Sequence, residues 1–297
     1  MYAFICISDQ CNLACKYCFY EIGHLKRKND ILSINNFLKI ACWLARVGFT
    51  GVSITGGEPT LVPHLIDCIK VLKNLGIYSN LVSNGTQLTL PLCKELEEAG
   101  LDSISISLDS LDAGTHNSCR GLFAETKEGY NNIMLSKIKD IEISLSVHRN
   151  NVQDTANFVS YFRNKGQKVC INFPYASPYS ESTWSLENPL PLIIKMLREN
   201  NLDERDKIFL SSYKRFYETG YLDGKCKMGR SVFFIDSKGS LLPCPFRDDL
   251  KLNNYINLNR SDFLDTIDTQ YTHISNRCLS RKCVNLFISK KYDDSKT

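Results

Sequence analysis

Cys11, Cys15 and Cys18 fall within one short stretch, CNLACKYC, at a C-x3-C-x2-C spacing. Thiols this close are a ligand set for a metal that favours thiolate. Structural zinc prefers four ligands, and His24 is the candidate for the fourth in that reading. The alternative is an iron–sulfur cube held by three thiolates, which leaves one iron with the open position that a catalytic metal keeps.

A second stretch with chemical potential is SITGGEPTL, residues 53–61. Gly56 and Gly57 lack side chains, so a ligand can approach the backbone there. Glu58 offers a carboxylate to an ammonium group, and Pro59 suits the first position of a helix. A plain Gly-Gly turn is the structural alternative. Toward the C-terminus, Cys226 and Cys244 bracket RSVFFIDSKGSLLPCP, which reads as a hairpin turning at Ser237–Gly239 so that the thiols converge. CLSRKC adds Cys278 and Cys283 after a short helical stretch. Four thiolates complete a cluster, with zinc as the rival occupant.

The other six cysteines show no ligand spacing. Cys42, Cys68 and Cys93 lie in helical patterns among apolar residues and read as buried thiols, and Cys6 and Cys170 lie in strands. Cys119 stands in a polar loop beside Arg120 and is a candidate catalytic residue, as a redox-active thiol or hydrogen-atom donor.

The elements that must position these residues alternate along the chain. Strands are expected at 2–8, 50–55, 77–83, 102–108, 141–147 and 168–173, with helices near 33–47, 62–75, 89–99, 122–138 and 151–165. Ser33 reads as an N-cap, and glycines stop the helices. Such repeats give a parallel sheet with right-handed crossovers. Strands 102–108 and 141–147 carry polar residues at alternate positions, so one face of the sheet lines something wet. That favours a partial barrel with a polar interior over a doubly wound sheet. Past residue 173 comes a turn-rich stretch, PYASPYSESTW, then helical segments near 187–199 and 203–218. The expected division is 1–185, a helical linker 186–219, and a smaller unit 220–297 holding the second cysteine group.

The chain has 297 residues, 43% of them hydrophobic, and a net charge of +4 that is too small and evenly spread to argue for nucleic acid. The N-terminus shows no signal-peptide pattern and no run is long enough to span a membrane, so a cytoplasmic location is expected. An odd total of 13 cysteines in such a compartment argues against a disulfide framework and for metal.

CNLACKYC resembles the C-x3-C-x-aromatic-C loop of the radical SAM enzymes, with Tyr17 as the aromatic, and GGEP resembles the motif that holds the methionine amino group in that superfamily. The resemblance extends to SNG (83–85), bringing in Ser83 and Asn84, and to SISLDS (105–110), with Ser107 and Asp109. There Ser110 replaces a common glycine. THNSCRG (115–121) resembles a stretch whose arginine, here Arg120, contacts the methionine carboxylate. The resemblance implies a partial (β/α)6 TIM-like barrel. It also implies a [4Fe-4S] cluster on Cys11, Cys15 and Cys18 whose open iron chelates S-adenosylmethionine, and cleavage of that cofactor to a 5′-deoxyadenosyl radical that takes hydrogen from substrate. An electron donor of the flavodoxin or ferredoxin type and a monomeric state go with it.

The spacing C-x9-15-G-x4-C resembles the SPASM and twitch domains. That resemblance implies a small C-terminal α+β domain with one auxiliary [4Fe-4S] cluster on Cys226, Cys244, Cys278 and Cys283. The C-x4-C of the last pair departs from the commoner spacing. Relatives of this plan modify ribosomally made peptides, by epimerisation, crosslinking or thioether formation, or oxidise and rearrange small molecules such as an amino-cyclitol. The peptide class is the leading expectation. The C-terminal DDSKT differs from the Gly-Gly end of the molybdopterin-pathway member. A non-enzymatic metal scaffold would leave GGEP without a purpose.

Overall fold

Six parallel strands form the frame, because each is followed by a helical segment that must return over the sheet before the next begins. The structure is a computed structural model and describes residues 1–18, 29–172, 190–198, 202, 204–219, 228–245 and 248–277. The strands are β1 (Tyr2–Ser8), β2 (Gly51–Gly56), β3 (Tyr78–Ser83), β4 (Ser103–Ser107), β5 (Asp140–Ser146) and β6 (Lys168–Asn172). Their crossover helices are α1 (Ile34–Val47), α2 (Leu65–Asn74), α3 (Leu90–Glu98), α4 (Ala113–Cys119), α5 (Phe123–Ile133) and α6 (Thr155–Arg163). Then come α7 (Leu190–Arg198), α8 (Glu204–Thr219), the hairpin β7 (Val232–Ile235) and β8 (Leu241–Leu242), and α9 (Arg260–Arg277). This is a partial parallel β/α barrel with a C-terminal α+β extension.

Local signals set the helix ends as expected. The Ser33 hydroxyl accepts from Asn36 N at 3.3 Å, and Gly48 closes α1 in the left-handed region at φ 91°. Two elements differ from expectation. Residues 113–119 form a short helix, capped by Asp112 accepting from Thr115 N at 2.7 Å, where the sequence reads as loop. Among the described residues beyond 228, the hairpin joins the barrel's sheet. β7 pairs in parallel with β1, Tyr2 to Val232 through Ile5 to Ile235, so the sheet runs β6-β5-β4-β3-β2-β1-β7-β8. Phe233, Tyr255 and Phe263 join Trp43 and Phe49 in one core, with Trp43 4.6 Å from the Tyr255 ring and 4.9 Å from Phe263. The Trp43 indole donates to Leu258 O at 3.1 Å and Arg260 donates to Val47 O at 3.2 Å.

Alternation divides each strand. Ile104 and Ile106, like Ile54, Leu81 and Ile5, pack against the helices, while Ser103, Ser105 and Ser107 face the barrel interior. Across that inner face run hydrogen bonds from Tyr2 to Ser53 (2.9 Å), Asn80 to Ser53 (3.0 Å), Ser103 to Asn80 (2.6 Å) and Asn172 to Ser144 (3.1 Å). The interior at β1, β7 and β8 is apolar instead, with Phe4, Cys6, Phe234 and Leu242 packed together.

Candidate active site

The loop bearing Cys11, Cys15 and Cys18 leaves the C-terminal end of β1, where ligands gather in parallel α/β folds. It is clamped from two sides. On the β2 side, Gly57 N donates to Ser8 O and Glu58 N to Gln10 O, both at 2.7 Å. A Cβ on Gly56 would stand 2.0 Å from Ser8 O, and one on Gly57 would stand 2.0 Å from Gln10 O. The chain's own backbone also approaches these glycines, since β1 and β2 stay paired into the loop.

Glu58 differs from the open acceptor expected. Its side chain is 0% exposed and caps the 3-10 turn Pro59–Leu61. One carboxylate oxygen accepts from Thr60 N (3.1 Å), Thr60 Oγ1 (2.6 Å) and Ser83 Oγ (2.8 Å), and the other from Asn84 N (2.6 Å). Burial raises its pKa above 4.5 against the pull of these hydrogen bonds. Ser83 and Asn84 are buried in turn. The Asn84 amide reaches Asn12 Oδ1 at 2.9 Å and Cys11 Sγ at 3.9 Å, tying the end of β3 to the loop.

On the other side, Lys16 N donates to Cys119 O at 2.9 Å and the Tyr17 hydroxyl donates to Asp109 Oδ2. The same oxygen accepts from Arg120 Nε at 2.7 Å, and Asp109 Oδ1 accepts from Ser146 N at 3.0 Å. Burial alone would raise the Asp109 carboxyl, but the Arg120 guanidinium, with the Tyr17 and Ser146 donors, brings it below 3.8. Asp109 was expected to approach the cofactor. Its carboxylate is fully buried and taken by internal donors, so it holds other groups in place. Arg120 is 11% exposed and lies 5.2 Å from the Tyr17 ring centre. Ser107 is half-buried on the inner face at the end of β4, where it pairs with Ser144 of β5.

His148, at the end of β5, is a member of this cluster that the sequence reading missed. The signal was available in its position just past a strand end. Its Nε2 lies 3.2 Å from Cys119 Sγ and 3.9 Å from Asp109 Oδ2. The ligand atoms of Asp109, Cys119 and His148 all lie within 4.8 Å of one another, yet the cation beside Asp109 is already Arg120. Burial pushes the Cys119 thiol up to about 12 and holds His148 below 6.5, so this group is a neutral thiol–imidazole pair beside an ion pair.

The three loop cysteines fit an iron–sulfur cluster by the chemistry of the donor set. Leu13 N points at Cys11 Sγ from 3.4 Å, and such N–H donors favour a thiolate. Burial raises the Cys15 pKa, Arg120 counteracts it, and the thiolates of Cys18 and Cys11 raise it further, a repulsion that a bound cation relieves. Cys244 follows β8, which runs antiparallel to β7 and so back toward the N-terminal end of β1. It therefore lies at the opposite end of the sheet from the loop, separated by roughly 20 Å of strand. Cys226, Cys278, Cys283, His24 and the stretch 174–184 lie outside the described residues. Of the remaining cysteines, Cys68 and Cys93 are buried as expected, their thiols pushed up to about 12 and about 11. Cys42 is exposed, being one position off the buried stripe of α1.

Residues 5–176 match the Radical SAM superfamily. The chain belongs to that superfamily. As a radical SAM protein it is an enzyme that works through an iron–sulfur cluster and S-adenosylmethionine. It is 28% identical over 258 residues to a probable GTP 3′,8-cyclase of Methanococcus aeolicus, covering 82% of this chain and 85% of that one. It is 26% identical over 263 residues to the PqqA peptide cyclase of Bradyrhizobium diazoefficiens, covering 80% of this chain and 64% of the cyclase. Its fold resembles anSMEcpe with bound AdoMet at a TM-score of 0.69 and 20% identity, over 96% of this chain and 87% of that one. Among the described residues no helix is long and apolar enough to cross a membrane.

Proposed function

We propose that this radical SAM enzyme modifies a peptide, and that it belongs to the auxiliary-cluster subgroup. Cys11, Cys15 and Cys18 hold the first cluster. When bound, that cluster supplies the electron that splits S-adenosylmethionine into methionine and a 5′-deoxyadenosyl radical, which abstracts hydrogen from substrate. The Gly56–Gly57 backbone and Ser107 line the cofactor seat, and the outer N–H groups of Arg120 receive the methionine carboxylate. Glu58, Ser83, Asn84, Tyr17 and Asp109 act one layer back by holding the loop and the arginine. Cys226, Cys244, Cys278 and Cys283 hold the auxiliary cluster, consistent with Cys244 at the far end of the sheet. Cys119 keeps its proton at neutral pH, which suits a hydrogen-atom donor and not thiolate chemistry.

The observation that carries the peptide reading is the inner face. It carries hydroxyls and carboxamides of Asn80, Ser103, Ser105, Ser144 and Asn172 along β3–β6 and an apolar cluster of Phe4, Phe234 and Leu242 at β1, β7 and β8, which suits a chain of amides with apolar side chains. The PqqA peptide cyclase and the anSMEcpe structure solved with a peptide point the same way. The GTP 3′,8-cyclase similarity favours a small-molecule rearrangement instead.

The test is anaerobic reconstitution with dithionite and S-adenosylmethionine, adding either GTP or a pool of short synthetic peptides encoded near the gene. Peptide-stimulated 5′-deoxyadenosine with a change in peptide mass or stereochemistry is expected. Stimulation by GTP alone would transfer the assignment to the second reading. About eight irons per chain would match two cubes, and about four would remove the auxiliary one.

A further inference from the structure

Tyr17 sits between Cys15 and Cys18, and only its ring is needed for an aromatic position in the loop. A phenol hydroxyl withdrawn from water is costly unless it is bonded, and that of the half-buried Tyr17 donates to Asp109, beside Arg120. We propose that Tyr17 and Asp109 are positioning residues that lock the cysteine loop to Arg120, so that loop order and S-adenosylmethionine recognition are coupled through them. The proposal rests on the reading that Arg120 receives the cofactor's carboxylate.

The geometry makes Asp109 a branch point. Its Oδ2 takes the Tyr17 hydroxyl together with the guanidinium Nε, while its Oδ1 is fixed to the β5 backbone through Ser146 N. The Tyr17 ring lies 5.2 Å from the guanidinium, so a shift of the loop moves this contact together with the hydroxyl's hold on Asp109. With Nε on Asp109 and NH2 3.5 Å from Ser146 Oγ, the remaining N–H groups have one fixed direction. The other clamps of the loop, Lys16 N to Cys119 O, Glu58 N to Gln10 O and the Asn84 amide to Asn12 Oδ1, make no contact with the Arg120 guanidinium. Removing the hydroxyl alone therefore separates loop position from loop packing.

The experiment compares the full-length wild type with Tyr17→Phe, which keeps the ring. In the metal-free protein, alkylation of Cys15 by iodoacetamide is followed by mass spectrometry. In the reconstituted protein, S-adenosylmethionine affinity is measured by equilibrium dialysis. Loss of one hydrogen bond to a charged group predicts about tenfold faster alkylation and about tenfold weaker binding. A merely packing role would shift the melting temperature and move neither. Either change without the other overturns the coupling, and so do two values within about twofold of wild type. If the wild type itself binds no S-adenosylmethionine, the reading of Arg120 fails, while the alkylation rates still decide whether Tyr17 orders the loop.

Discussion

Glu58 and Asp109 stand on opposite flanks of the cysteine loop, both fully buried, both with each carboxylate oxygen engaged. They organise the site with opposite electrostatics. Glu58 gathers neutral donors from Thr60, Ser83 and Asn84, and burial wins, so its pKa rises. Asp109 has a guanidinium at 2.7 Å, and its pKa falls despite equal burial. One flank is fixed by hydrogen bonds that join strand ends, and the other by an ion pair that a charged ligand can feel. A buried carboxylate in a motif is therefore not by itself a ligand contact; its partners decide its role.

The comparison predicts unequal damage. Asp109→Asn should be the more severe, because it leaves the Arg120 guanidinium buried without a counter-charge. A loss of about 3–5 kcal/mol in denaturant unfolding is expected, with loss of cofactor binding. Glu58→Gln keeps the shape but presents an NH2 group to donors, and should cost about 1–3 kcal/mol. A larger loss for Glu58→Gln than for Asp109→Asn would break the distinction.

The smallest effect is the most specific. The lowered pKa of Asp109 gives stability that is present above 3.8 and lost as pH falls through the folded-state value. The raised pKa of Glu58 gives a contribution that is whole below 4.5 and lost as pH rises through the folded-state value. The stability gap between wild type and Asp109→Asn should therefore widen as pH rises, while the gap to Glu58→Gln narrows. Unfolding curves of the metal-free proteins across the acid range would show gaps moving the same way if the two flanks are alike.

Much of this arrangement was legible in the sequence, because local pattern carries it. Alternating serines in β4 gave the wet inner face, and CNLACKYC with GGEP gave the loop and its neighbour. What was not legible depends on distant pairing. Nothing in VFFI announces that β7 will cover the edge of β1, since any apolar strand of that length could. Helix α4 was hidden by the poor helix formers Gly114, Thr115 and Asn117. The internal partners of Glu58 and Asp109 follow from where β3 and β5 end in space, so the motifs point to these residues but not to the donors that surround them.

The central claim is that the three-cysteine loop carries radical S-adenosylmethionine chemistry. Its most direct test is 5′-deoxyadenosine formation by the anaerobically reconstituted enzyme with dithionite, beside Cys15→Ala. The account predicts product from the wild type and none above background from the variant. Equal product from both, or none from an iron-replete wild type, would contradict it.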